Sequence, residues 1–477
     1  MPPRNQTLLE GPILKSLLTL AIPIAVANIL QAGYQLIDAF WVGRLGGAAV
    51  AAVSVSTPVT FLTIALGAGL AIAGSTLIAQ YFGARNQEMV NHVAAQTLLM
   101  IVLVSIVLGT MGFFAAPTFL RLLGVAPDVY PGALGFMRVS FVGLVFNFFF
   151  FMFQSVMRGV GEAKLPVYIV LGTVILNFLL DPLFIFGWHG VPAMGVMGAA
   201  VATLGTQSIA AMIGLAVLLR GKHGIDLQWS DFQPDFAYIR RAFFLGFPAS
   251  IEQSARALGL TVMTFLIASF GTLTVAAYGV GSTILQVVMI PGMGLAMSVS
   301  TLVGQNIGAG NVDRAARIGR LGALLGFGIL SGMGVIAFVF APQLVRFFVP
   351  GDPGVIAAGA VFLRTMSLFW GFMGAQLSMT GVLRASGNMV VTMTLTLVSQ
   401  WVFQFPIAYV LSKHAGMGGP GIWWAFPISN VLITLITMGV YAKGDWKKKR
   451  LAQPDAEQEI EGEVATEILA AEGGVTH

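Results

Sequence analysis

The chain repeats itself, and that constrains its fold more than any other feature. Ser75-Thr76-Leu77-x-x-Gln80-x-x-Gly83-Ala84-x-Asn86 returns 225 residues later as Ser300-Thr301-Leu302-x-x-Gln305-x-x-Gly308-Ala309-x-Asn311. The same offset joins Pro23 to Pro248, Gly46 to Gly271, Gly67 to Gly292, Gly69 to Gly294, Pro117 to Pro342 and Arg121 to Arg346. One residue of drift then joins Arg138 to Arg364, Arg158 to Arg384 and Gly161 to Gly387. An ordered series at constant spacing marks a duplicated structural unit. Whatever one half folds into, the other must fold into as well.

The unit itself is read from its apolar runs. A helix needs about 20 apolar residues to cross the hydrocarbon of a bilayer. Twelve such stretches occur, six in each half: 15–43, 49–82, 90–117, 131–157, 165–187, 193–219, 240–268, 275–306, 315–340, 355–383, 388–412 and 421–442. Only 9% of the residues are charged and 57% are hydrophobic, against about a quarter charged in a soluble domain. The expected fold is an all-α polytopic membrane protein of twelve transmembrane helices, arranged as two six-helix bundles. Because six is even, both halves start on the same side, so the repeat is parallel. The expected organisation is an N-lobe over 1–219, a cytosolic linker over 220–239, a C-lobe over 240–442 and a tail over 443–477, basic and then acidic. The first apolar stretch runs straight into the rest, as a span does and a signal peptide does not.

Charge gives the orientation. If both termini are cytoplasmic, 18 of the 25 Lys and Arg fall inside, four outside and three, Arg138, Arg256 and Arg364, within spans. The positive-inside rule selects that topology, in the cytoplasmic membrane, and leaves the net charge of +5 as no sign of nucleic acid. Lys447-Lys448-Lys449-Arg450 reads as a stop-transfer flank beside membrane lipid. The acidic residues 451–477 read as a solvated tail, with Ile460, Val464 and Ile468 on one face of a weak docking helix as the alternative.

Three carboxylates lie inside spans: Asp38, Asp181 and Glu252. Each costs about 2.5–3.5 kcal/mol or more at the centre of a helix, so an intramembrane acid is by default functional. Asp38 shares a helix face with Tyr34, and its repeat partner is Met263, so the scaffold alone requires no acid there. Asn177-x-x-x-Asp181 stacks an amide and a carboxylate one turn apart, a donor set of oxygens for Na⁺ or a site that holds a proton. Glu252 precedes Arg256 by four residues, so a self-neutralising pair is the plain reading and an ion or substrate site in the C-lobe the functional one. The chain has no Cys, and its five His (His92, His189, His223, His414 and His477) fall near span ends, in loops or in the tail. No metal cluster and no cofactor is expected, and no catalytic constellation is expected either.

Pro23 and Asp38 fifteen residues apart, Asp38-Ala39-Phe40-Trp41-Val42-Gly43-Arg44-Leu45-Gly46, the doubled Gln-x-x-Gly-Ala-x-Asn and Arg158-Gly159-x-Gly161 together resemble the multidrug and toxic compound extrusion (MATE) family over about residues 10–445. Asn177-x-x-x-Asp181 with the first-span acid looks like the DinF-like branch. That resemblance implies a protonation point at Asp38, a helix bend at Pro23, and a cation site of Asn177 and Asp181 with Thr203 and, through a carbonyl, Ala199, with Na⁺ held at Asp38, Asn177, Asp181 and Thr203. Glu252 resembles the NorM-like branch, whose C-lobe site adds an acid in the tenth helix; here Gln376-Leu377-Ser378-Met379-Thr380-Gly381 has none.

The resulting expectation is a secondary active multidrug efflux antiporter, functional as a monomer, that exports amphipathic and often cationic organic compounds in exchange for H⁺ or Na⁺. Aromatic and Met side chains such as Phe146, Phe148, Phe149, Phe150, Met152 and Phe153 would line its cavity, with Gln31, Tyr34, Asn147 and Gln154 as polar candidates. Two other functions compete with it: a flippase for a lipid-linked precursor, which would want more cleft arginines, and a membrane-embedded enzyme.

Overall fold

The computed structural model describes residues 8–188 and 190–452. Arg4, His189, His477 and the proposed docking helix at Ile460, Val464 and Ile468 lie outside these residues.

Uninterrupted apolar sequence that must satisfy its own backbone in lipid has to be helical, and nearly all of the described chain is. The helices are α1 Ile13–Gly43, α2 Gly47–Gly83, α3 Gln87–Leu122, α4 Tyr130–Gly159, α5 Lys164–Phe186 and α6 Val196–Leu219 in the first half. The second half has α7 Phe236–Ala268, α8 Thr272–Gly308, α9 Val312–Val339, α10 Ala341–Phe348, α11 Pro353–Ser367, α12 Trp370–Ala385, α13 Met389–His414 and α14 Gly419–Lys443. Ten are long and apolar enough to cross a membrane, and α11 with α12, bent by 51° at a short break, makes an eleventh. The twelfth is α7, 33 residues long, whose Arg240, Arg241, Glu252 and Arg256 make it less apolar than its neighbours.

The duplication is visible helix by helix. α2 and α8 each have 37 residues, start 225 residues apart, and follow a glycine with φ of +103° at Gly46 and +95° at Gly271, a conformation open to Gly and costly for other residues. Where the halves differ, the second is more broken. α3 runs through Pro117 as one helix, whereas α9 stops and α10 restarts at Ala341, next to the equivalent Pro342. α5 is regular, whereas its counterpart α13 carries π turns at Val398–Gln404 and Val410–His414.

The halves meet through α1, α2, α7 and α8. In lipid, helices gain little from apolar burial, so close backbone approach decides where they touch. Gly69 of α2 faces the backbone of Ala249 and Ser250 on α7, and its repeat partner Gly294 of α8 faces Ala21 and Ala25 on α1. Ser250 Oγ donates to Leu66 O at 2.7 Å and Ser298 Oγ to Leu17 O at 2.8 Å.

At the end where α2 and α8 finish, the repeated motif closes the bundle. A Cβ on Gly83 would collide with the backbone of Gln305, and one on Gly308 with that of Gln80. Gln80 Nε2 donates to Ala385 O at 2.7 Å, and Gln305 Nε2 to the equivalent Gly159 O at 2.9 Å. The C-terminal segment completes the plug: Leu451 N donates to Gln80 Oε1 at 2.7 Å, Lys449 Nζ to Gly387 O at 3.0 Å, and Arg450 to Gly308 O. Both cations sit at helix C-termini, where the dipole favours positive charge. Away from this end burial falls off. From Gly69 to Gly83 and from Gly294 to Gly308 the two helices are mostly buried, while their first halves are mostly half-buried or exposed. A cleft therefore opens between the halves toward the opposite end.

The linker between the halves is strapped to α3. Gln96 Nε2 donates to Asp231 O and Gln233 O at 2.9 and 2.8 Å, while its Oε1 accepts from Asp235 N at 2.9 Å. His92 stands 3.3 Å from Asp235.

Candidate functional site

Three helices of the first half bring the sequence candidates together. α1 carries Tyr34 and Asp38, four residues apart and on one face. α5 carries Asn177 and Asp181, likewise one turn apart, and both are fully buried. Asn177 Nδ2 donates to Asp38 Oδ1 at 2.6 Å and to Asp181 Oδ2 at 3.0 Å, so one amide bridges two carboxylates on different helices. That shared amide holds the two carboxyl groups close together. Two oxygens here are buried without a partner, Asp181 Oδ1 and Asn177 Oδ1.

α6 supplies the hydroxyls. Thr206 Oγ1 donates to Thr203 O at 3.0 Å and stands 2.6 Å from Tyr34 Oη. Because Thr206 has a single proton and the carbonyl can only accept, Tyr34 is the donor in the second bond. Thr203, one turn before, takes part through its carbonyl. Thr206, rather than Thr203, is thus the residue whose hydroxyl holds Tyr34.

Other expected members lie elsewhere. Ala199 is buried in an apolar cluster with Val42, Ile185 and Val196, and as a helical residue its carbonyl is engaged in the ladder of α6. Pro23 is inside α1, which runs through it unbroken. Gln31 is half-buried on α1, Asn147 is half-buried with its Oδ1 unpartnered, and Gln154 is buried. The aromatic lining is corrected: Phe148, Phe150, Met152 and Phe153 are buried in the core of the first half. Phe148 lies against Gly67, Met152 against Gly74 and Phe153 against Gly214, so the glycines fix these side chains inside the bundle and away from the cleft.

The third acid has its own surroundings. Glu252 is fully buried, and its Oε1 accepts from Arg384 Nη2 at 2.5 Å, Arg256 Nη2 at 3.0 Å and Thr396 Oγ1 at 3.1 Å. The i, i+4 pair with Arg256 is as the spacing suggests. Arg384 and Thr396 come from α12 and α13 and were not legible as partners, although Arg384 had been marked as the repeat partner of Arg158. The remaining span arginines make cation–π contacts at equivalent places: Arg138 over Phe113 at 4.9 Å and Arg364 over Phe338 at 5.8 Å.

The first site suits a proton or a small monovalent cation. Two carboxylates bridged by one amide at low dielectric do not both ionise without a counterion, and the unpartnered oxygens of Asp181 and Asn177 are the atoms such an ion would take. Among the described residues no group of three or more His, Cys, Asp and Glu forms a metal cluster.

A family model described as MatE matches residues 23–183 and 248–410, two segments whose first residues are the repeated Pro23 and Pro248. The chain is 30% identical over 444 residues to the probable multidrug resistance protein YoeA of Bacillus subtilis, covering 92% of this chain and 95% of that one. It is also 30% identical to the probable multidrug resistance protein YpnP of the same organism, over 93% of this chain and 98% of the relative. Among solved structures, a crystal structure of MATE in complex with MaL6 superposes with a TM-score of 0.87 at 24% identity, over 94% of this chain and all of the other.

Proposed function

The chain belongs to the MatE family, and on that premise we propose that it is a secondary active multidrug efflux antiporter, which exports amphipathic, often cationic organic compounds while H⁺ or Na⁺ enters. It is a transporter and not an enzyme. The observation that carries this reading is the Asp38–Asn177–Asp181 bridge, a pair of membrane-depth carboxylates with unpartnered oxygens beside them.

The two six-helix halves act as lobes, and the cleft between them alternates its opening. With the end formed by Gln80, Gln305 and the C-terminal segment closed, the cleft faces the other side. That closed end carries most of the Lys and Arg and is assigned to the cytoplasm, with both termini inside the cytoplasmic membrane. An ion entering from outside takes the oxygens of Asp38, Asp181, Asn177 and Thr203, removes negative charge from the cleft and weakens its hold on a cationic substrate; the substrate leaves and the lobes rock inward. A monovalent ion crossing 100 mV supplies about 2.3 kcal/mol, and each pH unit adds about 1.4 kcal/mol for a proton. The protein functions as a monomer and needs no cofactor beyond the coupling ion.

Purified protein in liposomes loaded with a fluorescent cationic dye tests this. Release driven by an imposed pH gradient or an imposed Na⁺ gradient identifies the ion. Full-rate release by Asp38→Asn under both gradients would refute the assignment of the coupling site.

A further inference from the structure

The Glu252 cluster has a surplus charge. One carboxylate meets two guanidinium groups, so the group carries a net charge of +1 where lipid is nearest to intolerant of it. The two arginines are not equivalent. Arg384 is 16% exposed and bonded to Glu252, whereas the Arg256 side chain is 41% exposed. Arg256 commits a single nitrogen, Nη2, to Glu252 and to Thr396 at 3.4 Å. The rest of its fork carries no bond.

Arg256 Nη2 bonds to Glu252 of α7 and Thr396 of α13, and Glu252 also holds Arg384 of α12, so the guanidinium lies on the side of α7 that faces its own half. It lies two turns beyond Ala249 and Ser250, where Gly69 of α2 presses on α7, on the side where the halves part. Gln400, in a π turn of α13, bonds to the Arg256 carbonyl at 3.4 Å and shares a small cavity with Gly259, Met263 and Trp401. Met263 and Gly259 are the repeat partners of Asp38 and Tyr34. The second half thus carries a cationic cluster within two turns of the position that corresponds, in the first half, to the acidic site.

We propose that Arg256, backed by Arg384 and Glu252, is an anion subsite that takes the carboxylate of an amphipathic substrate, so that zwitterionic compounds are exported with their acidic group on the second half. This rests on the efflux reading and names its substrate class. A carboxylate on the free edge of the guanidinium fits its fork geometry and brings the cluster to neutrality. The same surplus argues against a coupling cation at Glu252, because a cation would meet two guanidinium groups there.

The matched probes are rhodamine 110, a free acid, and its methyl ester rhodamine 123, which differ only at the carboxylate. Binding of each to purified protein is read by fluorescence anisotropy, and export of each from vesicles is read beside it. Wild type is expected to bind the acid more tightly than the ester. Arg256→Gln should lower that acid-to-ester ratio about tenfold or more, as expected for loss of a charge-assisted hydrogen-bond pair, and Arg256→Lys should lower it by less. The glutamine variant is expected to fold, since Glu252 keeps Arg384 and Thr396. An unchanged ratio, a parallel loss for both dyes, or no preference in wild type would overturn the subsite. If wild type exports neither dye, the efflux reading fails, and the anisotropy ratio still decides the subsite.

Discussion

Gln80→Leu should unlatch the closed end of the transporter. The side chain is fully buried; its amide donates to Ala385 O and its oxygen accepts from Leu451 N at 2.7 Å and Ala452 N at 3.3 Å. Leucine has a similar volume, so the change opens no large cavity but leaves the Ala385 carbonyl and the Leu451 and Ala452 amides unpartnered in the closed state. Each orphaned buried group costs about 1–3 kcal/mol. Once the end opens, water satisfies all three groups, so the cost falls on the closed state alone. Taken together they shift the balance toward opening by about 3–9 kcal/mol, or roughly 100-fold or more. Gln305→Leu at the equivalent position should do much less. Gln305 donates only to Gly159 O, and its own Oε1 is already buried without a partner, so removing it relieves one penalty as it creates another.

The chain contains no Cys, so a single reporter thiol can be read without background. Thr76 is buried one turn before Gln80 on the same face of α2, and Thr76→Cys is nearly isosteric. Labelling by a membrane-impermeant maleimide from the cytoplasmic side should follow the open population and accelerate at least about tenfold in Gln80→Leu. Equal acceleration by the two leucine variants, or none by Gln80→Leu, would show that the hydrogen bonds to Gln80 do not hold this end shut.

Asp38→Asn and Asp181→Asn should each abolish gradient-driven dye release while leaving dye binding measurable, since each removes one of the two ionisable groups of the bridge; retained coupling in either variant counts against a shared site. Thr206→Val should cost about 1–3 kcal/mol by stranding the Tyr34 hydroxyl, whereas Tyr34→Phe strands nothing and should cost about 0.5–1.5 kcal/mol; a thermal-shift assay giving the reverse order would show that the donor had been misassigned. Gly69→Leu drives a side chain into the backbone of α7 and should cost more than about 3 kcal/mol or block assembly, being a small-to-large change at a close helix crossing. A near-normal Tm would mean that the halves do not meet there.

The helices were legible because lipid leaves a chain few choices: apolar runs and charged turns mark their ends, and α1 begins and finishes within two residues of its expected span. The pairing of Asn177 with Asp181 was legible from one-turn spacing. Its association with Asp38 followed only from the family resemblance, since nothing in the spacing of either segment says that α1 and α5 adjoin. The doubled Gln-x-x-Gly-Ala-x-Asn could be seen but not interpreted. Only when α2 and α8 are set side by side does each Gly become the gap that admits the other helix, and each Gln the donor to the far half. Phe148, Met152 and Phe153 went astray for a related reason, because a run of large apolar residues looks the same in a core as in a cavity until the facing glycines are known.

The duplication also shows where to look for function, by where it fails. Positions that hold the backbone are kept in both halves: Pro23 and Pro248, Gly69 and Gly294, Gln80 and Gln305, Arg138 and Arg364. Positions that carry intramembrane chemistry are not. Asp38 has Met263 at the offset of 225, Asn177 and Asp181 have Phe403 and Ile407 at the drifted offset of 226, and Glu252 and Arg256 have Ala27 and Gln31. A polar group that served only to support the fold would be needed twice, as Gln80 and Gln305 are. A polar group present once carries the membrane's desolvation cost without a symmetric structural return, which argues that selection keeps it for binding. By that reasoning the proposed coupling ion would have one carboxylate site, in the first half, and the cationic cluster of the second half a separate task.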